Sequence, residues 1–301
     1  MSPNSKTILP EKNQVRKKRK KQGMWSQAVV RLFHDKLGMV GLIGILALVL
    51  ISVCAPLIAP FSPTEMDLKF INAAPSLAHP FGTDALGRDI LSRLIYGGRY
   101  SLAVGFLASV VGQFAALILG MIAGYAGGKV DNAIMRTMDV IMSIPATMIS
   151  IIVAMTFGTK NFIGTIVALG LGGIAGGVRM CRGLVLTVRQ EEYLRAAQAI
   201  NCSTPRILFR HVFPNIISVM IIGMATGIGN MIMVAAGLSV IGLGIQPPAP
   251  EWGAMLSAGR DYITHYPHLV IFPGLVIFIC VFFFNLLGDG LRDAIDPKLR
   301  K

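Results

Sequence analysis

The chain has 301 residues, of which 53% are hydrophobic and 14% are charged, with a mean hydropathy of +0.64 and a net charge of +13. Soluble domains average about 45–50% apolar and about 25% charged residues, so the composition favours an integral membrane protein. The four cysteines and five histidines lack the paired spacing of a disulfide framework or a zinc site. Phosphate-loop, zinc-protease and serine-hydrolase motifs are missing, so we predict no catalytic, cofactor-binding or metal-binding residue.

The amino-terminal region, residues 1–36, is strongly basic. An unbroken Lys/Arg run occupies residues 16–21, and Val29 and Phe33 belong to one apolar stripe of a short helix. A basic tail before a first span is what membrane topology predicts, so a nucleic-acid partner is disfavoured. We expect a cytoplasmic tail and an elbow helix on the inner leaflet, followed by an uncleaved first span at residues 37–59.

Apolar windows without charge recur along the chain. They lie at residues 37–59, 100–128, 161–178, 211–250 and 262–288, with a sixth at 140–157 that Pro145 interrupts. A span needs about 20 apolar residues, so the 211–250 window predicts a helix at about 215–243 followed by an outer loop. Most Lys and Arg residues then fall on the side of the amino terminus, which the positive-inside rule makes cytoplasmic. We predict an all-α integral membrane protein with six transmembrane helices and cytoplasmic amino and carboxyl termini.

Residues 60–99 form an external segment between the first span and the rest. Its first part is rich in proline, and residues 83–99 then read as an amphipathic helix that Thr83 or Asp84 caps. In this helix the apolar stripe faces the membrane, and the polar side chains that face away are Arg88, Asp89 and Arg93. We expect Gly97-Gly98 to end the helix on the outer membrane surface.

The spans contain many glycines and very few polar side chains. Glycines four residues apart, such as Gly120/Gly124 and Gly223/Gly227, allow helix backbones to approach closely in lipid. Amides occur at Gln113, Asn230 and Asn285, and no chain of ionisable residues follows them. An ion-coupled secondary carrier is therefore disfavoured, because such carriers keep ionisable or discontinuous sites near the midplane.

A polar and basic loop, residues 192–215, separates two of the spans. Leu194, Ala197 and Ile200 recur at helical spacing, and Ala196 beside Ala197 leaves the backbone bare. Thr204 can cap a second short helix, with Pro205 at its first position, that reaches the membrane edge at Pro214. Two short helices across a membrane domain provide a docking surface for a cytoplasmic protein, and they form no catalytic pocket.

Three separated motifs carry a resemblance to a known family. They are HPFGTDALGRDILSR at residues 79–93, GLGIQPPAPEWG at 242–253 and DGLRDAIDP at 289–297. Together they resemble the dipeptide/oligopeptide/nickel permeases of ABC importers, and more narrowly the second permease of the pair, the dipeptide permease C type. The resemblance covers roughly residues 25–299.

The resemblance implies the type I importer permease fold, with a five-helix core at residues 98–289, a coupling loop at 189–214 and a cytoplasmic tail at 290–301. It implies an ATPase-coupling role for Glu192, Arg195, Ala196, Ala197, Asn201, Arg206, Arg210 and Pro214. Asn201 stands where the family pattern has glycine, and asparagine tolerates the left-handed turn expected there. Arg195 stands at the glutamate position of that pattern.

The implied function is that of a non-catalytic permease subunit in the inner (cytoplasmic) membrane of a prokaryote. Its implied partners are a homologous second permease, cytoplasmic ABC ATPases, an extracytoplasmic binding protein and membrane lipid. The cargo implied first is a di- or oligopeptide, with nickel, glutathione or another small solute as the alternatives. A role in receiving the binding protein or bracing the second permease is expected for the external helix.

Overall fold

The fold is described from a computed structural model over residues 24–157 and 161–295, with side chains from residue 29 onward. The basic run at 16–21 and the Asp296-Pro297 end of the third motif lie outside the described residues. The α-helices are α1 (Met24–His34), α2 (Lys36–Val53), α3 (Ala55–Ile58), α4 (Ile90–Ala126), α5 (Gly128–Met142), α6 (Ala146–Thr156), α7 (Phe162–Gly172), α8 (Ile174–Arg189), α9 (Glu192–Ala199), α10 (Thr204–Ile207), α11 (Phe213–Val240), α12 (Trp252–Arg260) and α13 (His268–Ile295). No β-strand occurs in the described parts, which confirms the all-α prediction.

Among the described residues, four helices are long and apolar enough to cross a membrane. They are Lys36–Val53, Ile90–Ala126, Thr204–Val240 and His268–Ile295. Two helix pairs bring the number to six if each pair is one span: α5 with α6, bent by 90°, and α7 with α8, bent by 49°. The first bend falls at Pro145, which cannot donate the amide hydrogen bond that would continue the helix.

The first span, α2, packs along α13 through glycines that bring the two backbones together. A side-chain carbon on Gly41 would lie 2.6 Å from the Leu287 nitrogen, and one on Gly38 would lie 3.0 Å from Gly290. The carboxyl end of α2 is capped from α4, because the Arg99 guanidinium donates to the carbonyls of Ser52 and Val53 at 2.7 Å each. Both contacts fix α2 against the helical core.

Helix α4 lies at the centre of that core and packs on α7, α8 and α11. Side-chain carbons on Gly120 and Gly124 would collide with Cys181 and Val185 of α8. Gly112 similarly approaches the carbonyl of Gly170 in α7. The predicted close packing at glycines is therefore present within this one chain.

The prediction of a separate external helix at 83–99 is wrong. Helix α4 begins at Ile90, where the Asp89 carboxylate accepts from the Ser92 amide, and continues without interruption to Ala126. Gly97-Gly98 does not end it. Both glycines lie against the Trp252 ring, and a side-chain carbon added to Gly97 would lie only 2.9 Å from that ring. Tertiary contact, and not helix termination, explains this glycine pair.

Two predicted boundaries also change. The 140–157 window is not one interrupted helix, because α5 starts earlier, at Gly128, and meets α6 at a right angle. The helix expected at about 215–243 begins earlier, at Thr204, and joins the second half of the basic loop to the span.

We predict that Gly41→Leu weakens the attachment of α2 to α13. The larger side chain meets backbone atoms of Phe283 and Leu287, and overpacking of this kind costs about 1–3 kcal/mol. The thermal unfolding midpoint of the purified protein in detergent should fall. Val40→Leu, at an exposed position one residue earlier, is the control; equal midpoints for the two variants would contradict the packing argument.

Candidate functional site

The basic loop at 192–215 is attached to the membrane domain by its apolar side. Leu194, Ile207 and Val212 are fully buried in a cluster with side chains of α4, α8 and α11. The cluster partners include Met121, Cys181, Val185, Ile216 and Met220. Burial of this kind holds the loop rigidly on the ends of three helices.

The opposite side of the loop is exposed and mixes apolar with basic side chains. Ile200 and Phe209 are 76% and 69% exposed, which is unusual for side chains of this size in a polar loop. Exposed side chains also include Glu192, Arg195, Ala196, Asn201, Arg206, Arg210 and Pro214. Within the described parts of the chain, none of these three arginines forms an ion pair. We call this face the docking face; it consists of Glu192, Arg195, Ala196, Ala199, Ile200, Asn201, Arg206, Phe209, Arg210 and Pro214.

The two alanines that the sequence grouped together lie on different sides of α9. Ala196 is exposed, whereas Ala197 is 6% exposed and faces the membrane domain beside Leu194. Ala197 is therefore covered by the protein's own membrane domain, and its contact with a partner stays a prediction. The bare exposed pair is Ala196 with Ala199, which are three residues apart and so share a helix face.

Asn201 adopts the left-handed conformation that the sequence predicted, with φ of 56°. Its amide donates to the Gln198 carbonyl at 2.9 Å, and the next amide, of Cys202, donates to the Ala197 carbonyl at 3.1 Å. These bonds end α9 and turn the chain sharply toward Thr204. An asparagine therefore makes this turn in place of glycine.

The second half of the loop is not the separate short helix that we predicted. A π-helical turn at Leu208–Val212 connects α10 directly to α11, and the helix passes through Pro214. Pro214 supplies no amide proton, and the wider turn lets the Phe213 amide donate to the Leu208 carbonyl. The Asn215 side-chain amide then donates to the His211 carbonyl at 2.6 Å. The docking face thus continues without a hinge into a long span.

At the opposite end of the molecule, before the start of α4, the first motif folds into a buried network of charged groups. The Arg88 guanidinium donates to Asp84 at 2.7 Å, and Arg93 lies 3.5 Å from the same carboxylate. Arg93 also donates to the Pro63 carbonyl at 3.0 Å. The prediction that Arg88, Asp89 and Arg93 face away from the protein is wrong, because all three are buried.

Asp89 is the second centre of this network. One carboxylate oxygen lies 3.0 Å from Nδ1 of His79, and the other accepts from the Ser92 amide and hydroxyl at 2.8 and 2.7 Å. The Ser92 hydroxyl in turn accepts from the Phe61 amide at 3.1 Å. The Phe61 ring also stacks on His79, with ring centres 4.8 Å apart. These contacts attach the Pro-rich connector, residues 60–80, to the start of α4.

The second motif fixes α12 between α4 and α11. The buried Glu251 carboxylate accepts from the hydroxyls of Ser101 and Ser239 at 3.1 and 3.0 Å. It also caps α12 by accepting from the Ala254 amide at 2.7 Å. The neighbouring Trp252 indole is 1% exposed and donates to the Leu94 carbonyl at 2.9 Å. A buried carboxylate with three donors is satisfied without a counter-ion.

An open, uncharged cleft of about 320 Å³ lies between α4, α8 and α11. Its lining residues are mostly glycine and include Ser109, Gly112, Gln113, Gly173, Gly176, Gly223, Gly227 and Met231. Gln113 donates to the Met220 carbonyl at 3.2 Å, so the one amide in the cleft braces α4 on α11. Gly176 has open space where a side chain would project. The cleft offers a smooth surface and no charged group to hold a ligand tightly.

The chain is similar to known transport proteins over almost its whole length. A family model described as the binding-protein-dependent transport system inner membrane component matches residues 116–301. A second model, the N-terminal TM domain of oligopeptide transport permease C, matches residues 23–75. The chain belongs to this permease family. Its members are transport components.

Curated relatives match at similar levels. The dipeptide transport system permease protein DppC of Alkalihalophilus pseudofirmus is 39% identical over 92% of this chain and 90% of its own length. The oligopeptide transport system permease protein OppC of Bacillus subtilis is 37% identical, with 94% and 92% covered. The glutathione transport system permease protein GsiD of Pectobacterium atrosepticum is 39% identical, with 92% of each chain covered.

The fold is that of an ABC transporter permease. One chain of the MetNI methionine ABC transporter, solved in inward-facing conformations, superposes with a TM-score of 0.58. It covers 69% of this permease and 98% of its own length, at 17% sequence identity. The other residues of this permease have no counterpart in that subunit, which is the shorter of the two chains.

We predict that Arg88→Glu destabilises the outer segment. The new carboxylate would lie buried against Asp84, and breaking a buried pair in this way costs about 3–5 kcal/mol. The thermal midpoint should fall and the Pro-rich connector should become sensitive to protease. The exchange Asp84→Arg with Arg88→Asp should recover part of the loss, whereas the exposed Lys69→Glu control should have no effect. Equal behaviour of Arg88→Glu and Lys69→Glu would refute a structural role for the network.

Proposed function

We propose that this permease is one subunit of an ATP-driven, binding-protein-dependent importer that moves di- or oligopeptides across the cytoplasmic membrane of a prokaryote. The observation that carries the proposal is the two-sided loop at 192–215. Its inner side is buried on three helices, and its outer side leaves apolar and basic groups unpartnered. Such a loop transmits force from a cytoplasmic partner to the membrane helices.

The partner of the docking face is a cytoplasmic ABC ATPase. The exposed Ile200 and Phe209 supply the apolar anchors of an interface, and Arg195, Arg206 and Arg210 supply charge for acidic groups at its rim. Since α10 continues into α11 through the π-helical turn, a push on the loop moves the span with it. ATP hydrolysis belongs to that partner, and this chain contributes no catalytic group.

The glycine-lined cleft forms half of the transport pathway, and a homologous second permease forms the other half. A cleft that is open along one side cannot enclose a solute, so a second wall is required. In this arrangement each bent helix pair is one span, giving six spans of the type I importer fold with both termini in the cytoplasm. The extracytoplasmic binding protein then delivers cargo at the outer end, where the connector and Glu251 network hold the helix ends in place.

Peptide cargo is supported by the relatives, two of which carry dipeptide or oligopeptide in their names. The cleft is consistent with peptide cargo, because its uncharged, glycine-lined wall can accommodate neutral peptide backbones whatever side chains they carry. The glutathione relative widens the cargo class to a modified peptide. Selection among these cargoes rests mainly with the binding protein.

We predict that Ala196→Trp uncouples the ATPase from the permease. The bulky ring would overpack a contact on the docking face, at a cost of about 1–3 kcal/mol. Uptake and binding-protein-stimulated ATP hydrolysis in proteoliposomes should fall together, at unchanged permease abundance. Ala74→Trp, an exposed alanine on the outer segment, is the matched control.

Ala197→Trp should behave differently. Because Ala197 is buried within the chain, the substitution should lower permease abundance or stability as well as uptake. Wild-type uptake and ATPase rates for Ala196→Trp would remove the coupling role from this face.

We also predict that transport requires two kinds of permease. Coexpression with a homologous second permease, the ATPases and the binding protein should give peptide uptake, measured with radiolabelled dipeptide in proteoliposomes. Omission of the second permease should abolish uptake, because this chain alone leaves the cleft open. Uptake by an assembly with this chain as its sole permease would disprove the pairing.

A further inference from the structure

A second charged region lies on the membrane domain, between α5 and α8, and has no part in the proposed coupling. It is an open cleft of about 440 Å³ lined by Asn132, Met135, Arg136, Asp139, Arg179 and Arg182. Arg182 pairs with Asp131, and Arg179 pairs with Asp139. These two pairs bind α5 to α8 and leave further positive charge beside them.

The excess positive charge comes from Arg136 in the cleft and from two basic residues on the neighbouring turns. The Arg136 side chain is 86% exposed and lies 3.7 Å from Asp139, whose carboxylate already pairs with Arg179. Lys129 is exposed and shares a face of α5 with Arg136, seven residues on. Arg189 lies at the carboxyl end of α8, against Gly127. The three arginines that line the cleft thus exceed the two carboxylates they pair with, Asp131 and Asp139, and Lys129 and Arg189 add positive charge nearby, so this surface attracts anions.

The surface beyond the cleft is apolar. Helix α6 leaves α5 at 90°, and its exposed face carries Met148, Ile152 and Met155, each more than half exposed. These residues recur at spacings of four and three, so they form one continuous stripe. A basic cleft along α5 and an apolar stripe perpendicular to it match a ligand with an anionic head and a hydrocarbon tail.

We propose that the α5–α8 cleft binds the phosphate group of an anionic phospholipid from the inner leaflet, with an acyl chain along α6. The positive-inside distribution puts this cleft on the cytoplasmic side, where anionic lipids attract Lys and Arg near the membrane. Basic pockets between membrane helices on that side bind lipid headgroups by the same chemistry. The two Asp–Arg pairs hold the cleft open, while Lys129 and Arg136 supply the attraction.

The test is lipid retention by the complete importer, measured by native mass spectrometry after purification from mixed micelles of phosphatidylglycerol and phosphatidylcholine. Wild type should retain phosphatidylglycerol preferentially. Lys129→Gln and Arg136→Gln should each lower retention about fivefold, since each removes one basic group near the headgroup. Arg292→Gln, an exposed arginine at the inner end of α13, is the control and should retain the wild-type amount. Thermal unfolding midpoints of the variants should equal that of wild type, because the altered side chains are exposed.

Competitors distinguish the source of the phosphate. Inorganic phosphate and glycerol 1-phosphate carry the anion without a chain, and they should displace phosphatidylglycerol far less well than added phosphatidylglycerol does. Equal displacement by these soluble anions would overturn the lipid assignment. Equal loss in the Arg292→Gln control would overturn it as well. So would a complete importer that retains no phosphatidylglycerol although this permease purified alone retains it, since the stripe would then belong to the interface with the second permease.

Discussion

Close approach of helix backbones is the contact on which the rest of this permease depends. In lipid the burial of apolar surface gives little drive for association, so helices are held where small residues let their backbones meet. Gly41 against α13, Gly112 against α7 and Gly120 against α8 are contacts of this kind. The last two contacts fix α4 at the centre of the helical core. The basic loop and the glycine-lined cleft both lie on helices that contact α4.

The two ends of the molecule solve the problem of polar groups differently. At the end that carries the first two motifs, Asp84, Asp89 and Glu251 are paired with donors inside the chain, so the connector and α12 are fixed to α4 and α11. At the end that carries the basic loop, Arg195, Arg206 and Arg210 are exposed and leave their charge available. A closed network stabilises structure, whereas an open set of charges with exposed apolar side chains favours recognition of another protein.

The basic loop and the span are continuous because of a single local irregularity. Pro214 would normally kink or end a helix, since it removes one hydrogen bond and crowds the preceding turn. A π-helical turn at Leu208–Val212 precedes it, in which the Phe213 amide donates to the Leu208 carbonyl, and the Asn215 side chain donates to the His211 carbonyl. The second half of the loop and α11 therefore form one helical segment, Thr204–Val240.

The sequence by itself determined the all-helical membrane class, the family and the left-handed turn at Asn201, because hydropathy, motif spacing and backbone preference are local properties. It could not show that Arg88, Asp89 and Arg93 are buried, since a charged helix face looks the same whether water or other charged groups cover it. Nor could it show that Gly97-Gly98 receives Trp252, because a glycine pair serves equally as a helix stop or as a contact site. The exposure of Ala196 and the burial of Ala197 likewise depend on which side of α9 packs on the buried cluster that contains Leu194. Tertiary structure decided these points, because each depends on residues far away in the chain that fill, or leave open, the space beside a side chain.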